Sequence, residues 1–228
     1  MDPEGKRIYH RIDGRPLVWD YDGTEMLTDG IVHAIGIALA LVGVVVLITT
    51  TWDLTQGLRT ASIVIYALGL LTMWGFSAAY NMWPVSPKKW ALRRFDQSAI
   101  FFFIAATYTR FIVQLNTNLL PFLLGVWSVA GLGIVLKLAM PGRFDRISIG
   151  LCLLLGWSGV MAYEPVTTAL PRSTVLLIAA DGLVYSGGVV FHVWDGLRFQ
   201  NTIWHSLVLV AAVCHYMAIV DCFALART

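Results

Sequence analysis

The strongest constraint in this chain is a succession of apolar runs, each close to the length of a membrane span. An α-helix rises about 1.5 Å per residue, so about twenty residues cross the roughly 30 Å of hydrocarbon in a bilayer. Seven runs are read, at about 27–49, 60–82, 96–115, 119–139, 145–164, 172–194 and 202–224. Pro, Gly and charge gather in the joints, "DLTQGLR", "PVSPKKWALRR", "NTN", "MPGRFDR", "PVTTALPR" and "DGLRFQN". They mark helix ends because an open backbone is costly in lipid.

Composition agrees. The 228 residues are 57% hydrophobic and only 13% charged, against about one quarter charged in a soluble domain. The expected fold is all-α, a seven-transmembrane helix bundle at residues 27–228, preceded by a polar tail at 1–26. The tail lacks the apolar core of a signal peptide. Trp52, Trp83, Trp90, Tyr163 and Trp194 flank the runs, where interfacial belts favour such rings. Cys152, Cys214 and Cys222 lack the number and spacing of a disulfide framework or a thiolate metal site.

Lys and Arg orient the bundle. With the N-terminus in the cytoplasm, the inner segments hold Lys6, Arg7, Arg11, Arg15, Lys88, Lys89, Arg93, Arg94, Lys137, Arg143, Arg146 and Arg198. The outer segments hold Arg59, Arg172 and Arg227. The positive-inside rule then puts the N-terminus inside and, with an odd number of spans, the C-terminus outside. The expected location is multi-pass in the inner membrane of a bacterial cell. The expected partners are membrane lipids, with no nucleic acid.

That orientation brings Ser77, Asn81, Asp96, Asn201 and His205 to one depth near the cytoplasmic face. Ser77 and Asn81 share a helix face four residues apart, as do Asn201 and His205. Polar groups at one depth on several helices suggest a shared cavity; headgroup solvation of ordinary helix ends explains them equally well. Deeper, Arg110 and Asp181 are expected to pair, since a lone charge there is costly. Snorkelling of Arg110 to the outer interface is the alternative. His215 lies about 15 Å beyond His205 and is expected to pack against a neighbour; His192 is expected at the interface.

The chain resembles the hemolysin III branch of the progestin and adipoQ receptor family over nearly its whole length. The residues that carry the resemblance are Glu25 with "DGIVHAIG", "FSAAYN", "FDQSAIFFFIAATYT", "GIVLKL", "GW", "GGVVFHVW" and "IWHSLVLVAAVCHYMAI", in that order. The resemblance implies a seven-helix bundle, N-terminus in, with zinc near the cytoplasmic face. Three His would hold the metal, one ending the second span and two opening the seventh. A Ser and an Asp, here Ser77 and Asp96, would orient ligands and water in hydrolysis of lipid amides, as in alkaline ceramidases. Bacterial members are linked to membrane homeostasis.

Against that pattern, Asn81 and Asn201 stand at two of the three His positions and only His205 remains. An Asn amide is a weak, neutral ligand better suited to hard cations, so "NTIWH" reads as the remnant of a zinc site and weak or absent hydrolysis is expected. Three alternatives stay open. His33 could join Asp96 and His205 in a rebuilt site that keeps a hydrolase active. The polar residues could form a metal-free network between helices. The cavity could bind another cation or a polar lipid head. A pore, suggested by the name hemolysin, has little support because no span carries a continuous polar stripe.

Overall fold

The structure is a computed structural model and describes residues 7–10, 16–19, 21–51, 57–115, 119–140, 144–194 and 196–224. Lys6, Arg11, Arg15, Arg143 and Arg227 of the charge count, and Trp52 of the aromatic flanks, lie outside the described residues. The helices are α1 Gly23–Thr51, α2 Leu58–Met82, α3 Pro87–Leu115, α4 Leu120–Ala139, α5 Asp145–Trp157, α6 Tyr163–Ala169, α7 Arg172–His192 and α8 Gln200–Ala224. Six of these, α1 to α4, α7 and α8, contain stretches long and apolar enough to cross a membrane.

Two features depart from a plain seven-helix reading. The tail carries a small antiparallel pair, β1 Arg7–His10 and β2 Pro16–Trp19, with Arg7 opposite Trp19. The expected fifth helix, 145–164, is broken. It stops at Trp157, turns through a tighter 3₁₀ stretch at Ser158–Ala162, and resumes as α6. A break in lipid needs new partners for the freed backbone groups. The Tyr108 hydroxyl supplies them: it lies 3.1 Å from Leu155 O and 2.9 Å from Gly156 O, and accepts from Gly159 N at 2.6 Å.

α1 shows how the bundle is sorted. Its buried positions are Glu25, Asp29, His33, Gly36, Ala40, Gly43, Leu47 and Thr51, three or four residues apart and so on one face. The opposite face exposes Leu27, Ile31, Ile35 and Leu39. Polar and small residues point inward and aliphatic ones outward, the arrangement that a lipid solvent favours. A side chain at Gly36 would run into the Trp74 ring of α2, so the close approach of α1 and α2 requires glycine there.

At the end of the bundle that carries the turn between α2 and α3, three cations are held inside. Lys89 is fully buried and donates to the carbonyls of Asn81 (3.0 Å) and Trp83 (2.9 Å). Arg93 and Lys137 both reach Asp145, each at 2.7 Å. Cys152, Cys214 and Cys222 are free thiols.

Candidate metal centre

The site is assembled by the start of α1. Asp22 caps that helix: its carboxylate accepts from the N–H of Thr24 and of Glu25, both at 2.8 Å, and Glu25 reaches back to Asp22 N at 2.9 Å. This is a capping box. The N–H groups of Glu25 and Thr24, with Arg198 nearby, hold the Asp22 carboxyl below its usual range. The second Glu25 oxygen accepts from Phe199 N at 2.7 Å, and Thr28 meets Thr202 at 3.0 Å. α1 is thereby fixed against the start of α8, one turn above Asp29.

Asp29, His33 and His205 then converge. All three are buried, and their ligating atoms lie within 4.8 Å of one another. His205 donates from Nδ1 to Asp29 Oδ1 at 2.7 Å. His33 donates from Nδ1 to the Asp29 carbonyl at 2.8 Å, and its ring lies 4.4 Å from that of His205. The proton on Nδ1 leaves Nε2 of His33 as an acceptor, 3.1 Å from the Ser77 hydroxyl.

The expected residues take distinct places around this group. Asn81 donates to the Ser77 carbonyl at 2.9 Å and approaches its hydroxyl at 3.4 Å. Asn201 accepts from the Tyr21 hydroxyl at 3.1 Å. Asp96 faces Ser77 across the same cavity. The rebuilt set left open as an alternative by the sequence was His33, Asp96 and His205; the compact set is His33, Asp29 and His205. Asp29 lies four residues before His33, and that i, i+4 spacing on a buried face was the available signal.

This set can hold a metal ion. Two imidazoles and a carboxylate match the ligands of catalytic zinc sites, which keep a position open for water. Tetrahedral bonds of about 2.0–2.1 Å put ligand atoms about 3.4 Å apart, inside the 4.8 Å that bounds the present spacing; with Asp29 Oδ1 and His205 Nδ1 both on the metal, their 2.7 Å hydrogen bond would have to open. A ring N–H given to a backbone carbonyl, as in His33, is the usual way to orient a metal-binding imidazole. Bound zinc would supply a Lewis acid and a water of lowered pKa.

A cavity of ≈ 650 Å³ runs from this end into the bundle. Ser77, Asn81, Asp96, Asn201 and His205 line its polar end, and mostly apolar side chains line the rest. At its far end the expected Arg110–Asp181 pair is not what the helices form. Asp181 accepts from His215 Nδ1 at 2.7 Å, and the buried Arg110 donates to Gln114 Oε1 at 3.0 Å. Among the described residues no ion pair joins Arg110 to Asp181. His192 packs on Trp204, with ring centres 4.7 Å apart.

Comparisons with known proteins agree with this architecture. A family model described as "Haemolysin-III related" matches residues 24–216. The chain is 30% identical over 197 residues to the "Hemolysin-3 homolog" of Bacillus subtilis, covering 86% of this chain and 92% of that one. It is 27% identical over 190 residues to "Hemolysin-3" of Bacillus cereus, covering 81% and 85%. It is 30% identical over 200 residues to the human "Monocyte to macrophage differentiation factor", covering 82% and 79%. With its buried polar end and its apolar membrane helices, the chain belongs to the haemolysin III-related proteins, the hemolysin III branch of the progestin and adipoQ receptor family.

Proposed function

We propose that this protein binds membrane lipid in its internal cavity, acts in membrane lipid homeostasis, and holds zinc through Asp29, His33 and His205. The observation that carries the metal is the convergence of three buried ligating side chains within 4.8 Å, His33 bonded to Ser77 and His205 lining the polar end of the cavity. It offers a route around the two Asn exchanges: α1 contributes two ligands where the family pattern takes them from α2 and the first turn of α8. The mostly apolar cavity lining favours an acyl chain. Hydrolysis of a lipid amide is the chemistry such a centre would support, with Ser77 and Asp96 at hand to orient the reacting groups.

A second reading has one observation in its favour. The 2.7 Å bond between His205 and Asp29 is already satisfied without a metal, and with Ser77 and Asn81 it forms a network joining α1, α2 and α8. Such a network would staple the helices and leave the site without zinc. Metal analysis of detergent-purified protein separates the two. One zinc per chain, lost on His33→Ala, supports the rebuilt centre; metal-free wild type supports the staple.

The chain is further proposed to lie in a bacterial inner membrane, with tail 1–26 in the cytoplasm and the C-terminus outside. The Lys and Arg asymmetry supports this. Alkaline phosphatase fused after Thr228 should be active, and a fluorescent protein that matures only in the cytoplasm should be dark there. The opposite pair of results overturns the orientation.

A further inference from the structure

We propose that the deep end of the cavity is a hydroxyl-binding subsite, where His215 Nε2 and Thr107 Oγ1 receive a hydroxyl carried in mid-chain by a bound lipid. This rests on the reading that the cavity holds lipid.

Both atoms are buried, both belong to cavity-lining residues, and neither has a hydrogen-bond partner among the described residues. His215 is 8% exposed and Thr107 6%. A buried polar atom without a partner is costly, and such atoms are few in native proteins. Here two come from facing helices. Phe103 and Phe111 lie four residues either side of Thr107 on α3, hence on its face. Their rings pack edge-on against His215 at 5.9 and 5.7 Å. Thr107 therefore looks toward the same imidazole. Tyr66 covers another side of that ring, stacked at 6.3 Å.

The protonation pattern selects the ligand group. The Asp181 carboxylate accepts a hydrogen bond from Nδ1–H of His215, and with the proton on Nδ1 the neutral imidazole has Nε2 as an acceptor. The Thr107 hydroxyl can donate or accept. A group that donates to one and accepts from the other satisfies both, and a hydroxyl does so. A carboxylate cannot donate, and it would sit near the Asp181 charge. A plain methylene chain leaves both atoms without partners.

Depth sets where on the chain the hydroxyl belongs. His215 is ten residues beyond His205 on α8, about 15 Å along the axis. Thr107 is eleven residues beyond Asp96 on α3, about the same. An extended chain advances about 1.2 Å per bond, one third of the roughly 3.6 Å spanned by a three-bond backbone unit. A head group at the polar mouth thus puts the subsite about a dozen bonds down the chain.

The probes are octadecanoate, 12-hydroxyoctadecanoate and 2-hydroxyoctadecanoate, titrated in competition against the full-length protein in nanodiscs. The 12-hydroxy acid should bind about tenfold tighter than octadecanoate, the scale of one to two buried hydrogen bonds. The 2-hydroxy acid should show no such gain. Thr107→Val keeps shape and removes the hydroxyl; it should cut the preference for the 12-hydroxy acid over octadecanoate to about twofold or less. His215→Phe should abolish it, and the Thr107→Val result stands alone if that variant does not fold. Equal binding of octadecanoate and its 12-hydroxy derivative overturns the subsite and leaves the lipid cavity standing; this is the result if a bound water already serves both atoms. An undiminished preference in Thr107→Val also overturns it. If none of the three acids binds, the lipid reading fails and the subsite fails with it.

Discussion

Two histidines of α8, ten residues apart, each pair with an aspartate of another helix, His205 with Asp29 of α1 and His215 with Asp181 of α7. Each is joined at 2.7 Å through the imidazole Nδ1. Their surroundings differ. His205 has a second imidazole 4.4 Å away, with the Ser77 hydroxyl and the Asn81 amide beyond it. His215 is boxed by the rings of Tyr66, Phe103 and Phe111. The pair alone does not decide the chemistry. A third ligand makes the first a candidate metal centre, and aromatic walls make the second a receptor for one neutral polar group.

The largest expected effect separates the two pairs. Asp29→Ala should abolish zinc binding and cost about 1–3 kcal/mol of stability, since it leaves the buried Nδ1–H of His205 without its acceptor. Asp181→Ala should leave the zinc content unchanged. Equal zinc loss in both variants, measured on folded protein, would break the distinction. Next in size, Asn81→His combined with Asn201→His should raise zinc affinity more than tenfold, because it adds imidazoles around the same cavity. Unchanged affinity would mean that α2 does not face the metal.

Smaller effects sharpen the contrast. Asp181→Asn keeps shape and weakens one interhelical hydrogen bond, worth about 0.6 kcal/mol on average and up to about 1.7 in a membrane bundle. A chemical or steric unfolding assay should find a loss in that range. The smallest change is Asp22→Ala, which removes the cap that positions Asp29. The folded Asp22 carboxyl is held below the usual value of 3.8. Its contribution is therefore full above that pH and fades as pH falls through the lower folded value. The stability gap between wild type and variant should narrow in acid; a gap that widens would remove the cap from the account.

Much of this was legible in the sequence, for physical reasons. The apolar runs gave the helices because span length is fixed by the bilayer. Ser77, Asn81, Asp96, Asn201 and His205 were expected at one depth, and they line one end of one cavity. Asp29 escaped notice as a ligand because it sits in a family-like stretch, "DGIVHAIG", where an inward face is visible only once α1 is packed. The α5 break was hidden because its partner, Tyr108, is some fifty residues away in sequence. Lys89 entered the sequence reading only as one of the cytoplasmic-side cations in "PVSPKKWALRR", yet two carbonyls near the end of α2 draw it inside. The Arg110–Asp181 pairing came from depth alone, and depth cannot tell which way around a helix a side chain points.

The most direct test of the rebuilt centre is zinc content at one-to-one sensitivity on the purified protein, measured beside His33→Ala and Asp29→Asn. One zinc per wild-type chain is expected, with a large loss in both variants and a zinc-dependent rise in melting temperature seen only in the wild type. A folded wild type that stays metal-free when supplied with zinc would contradict it, and Asp29, His33 and His205 would then be a hydrogen-bonded staple between α1 and α8.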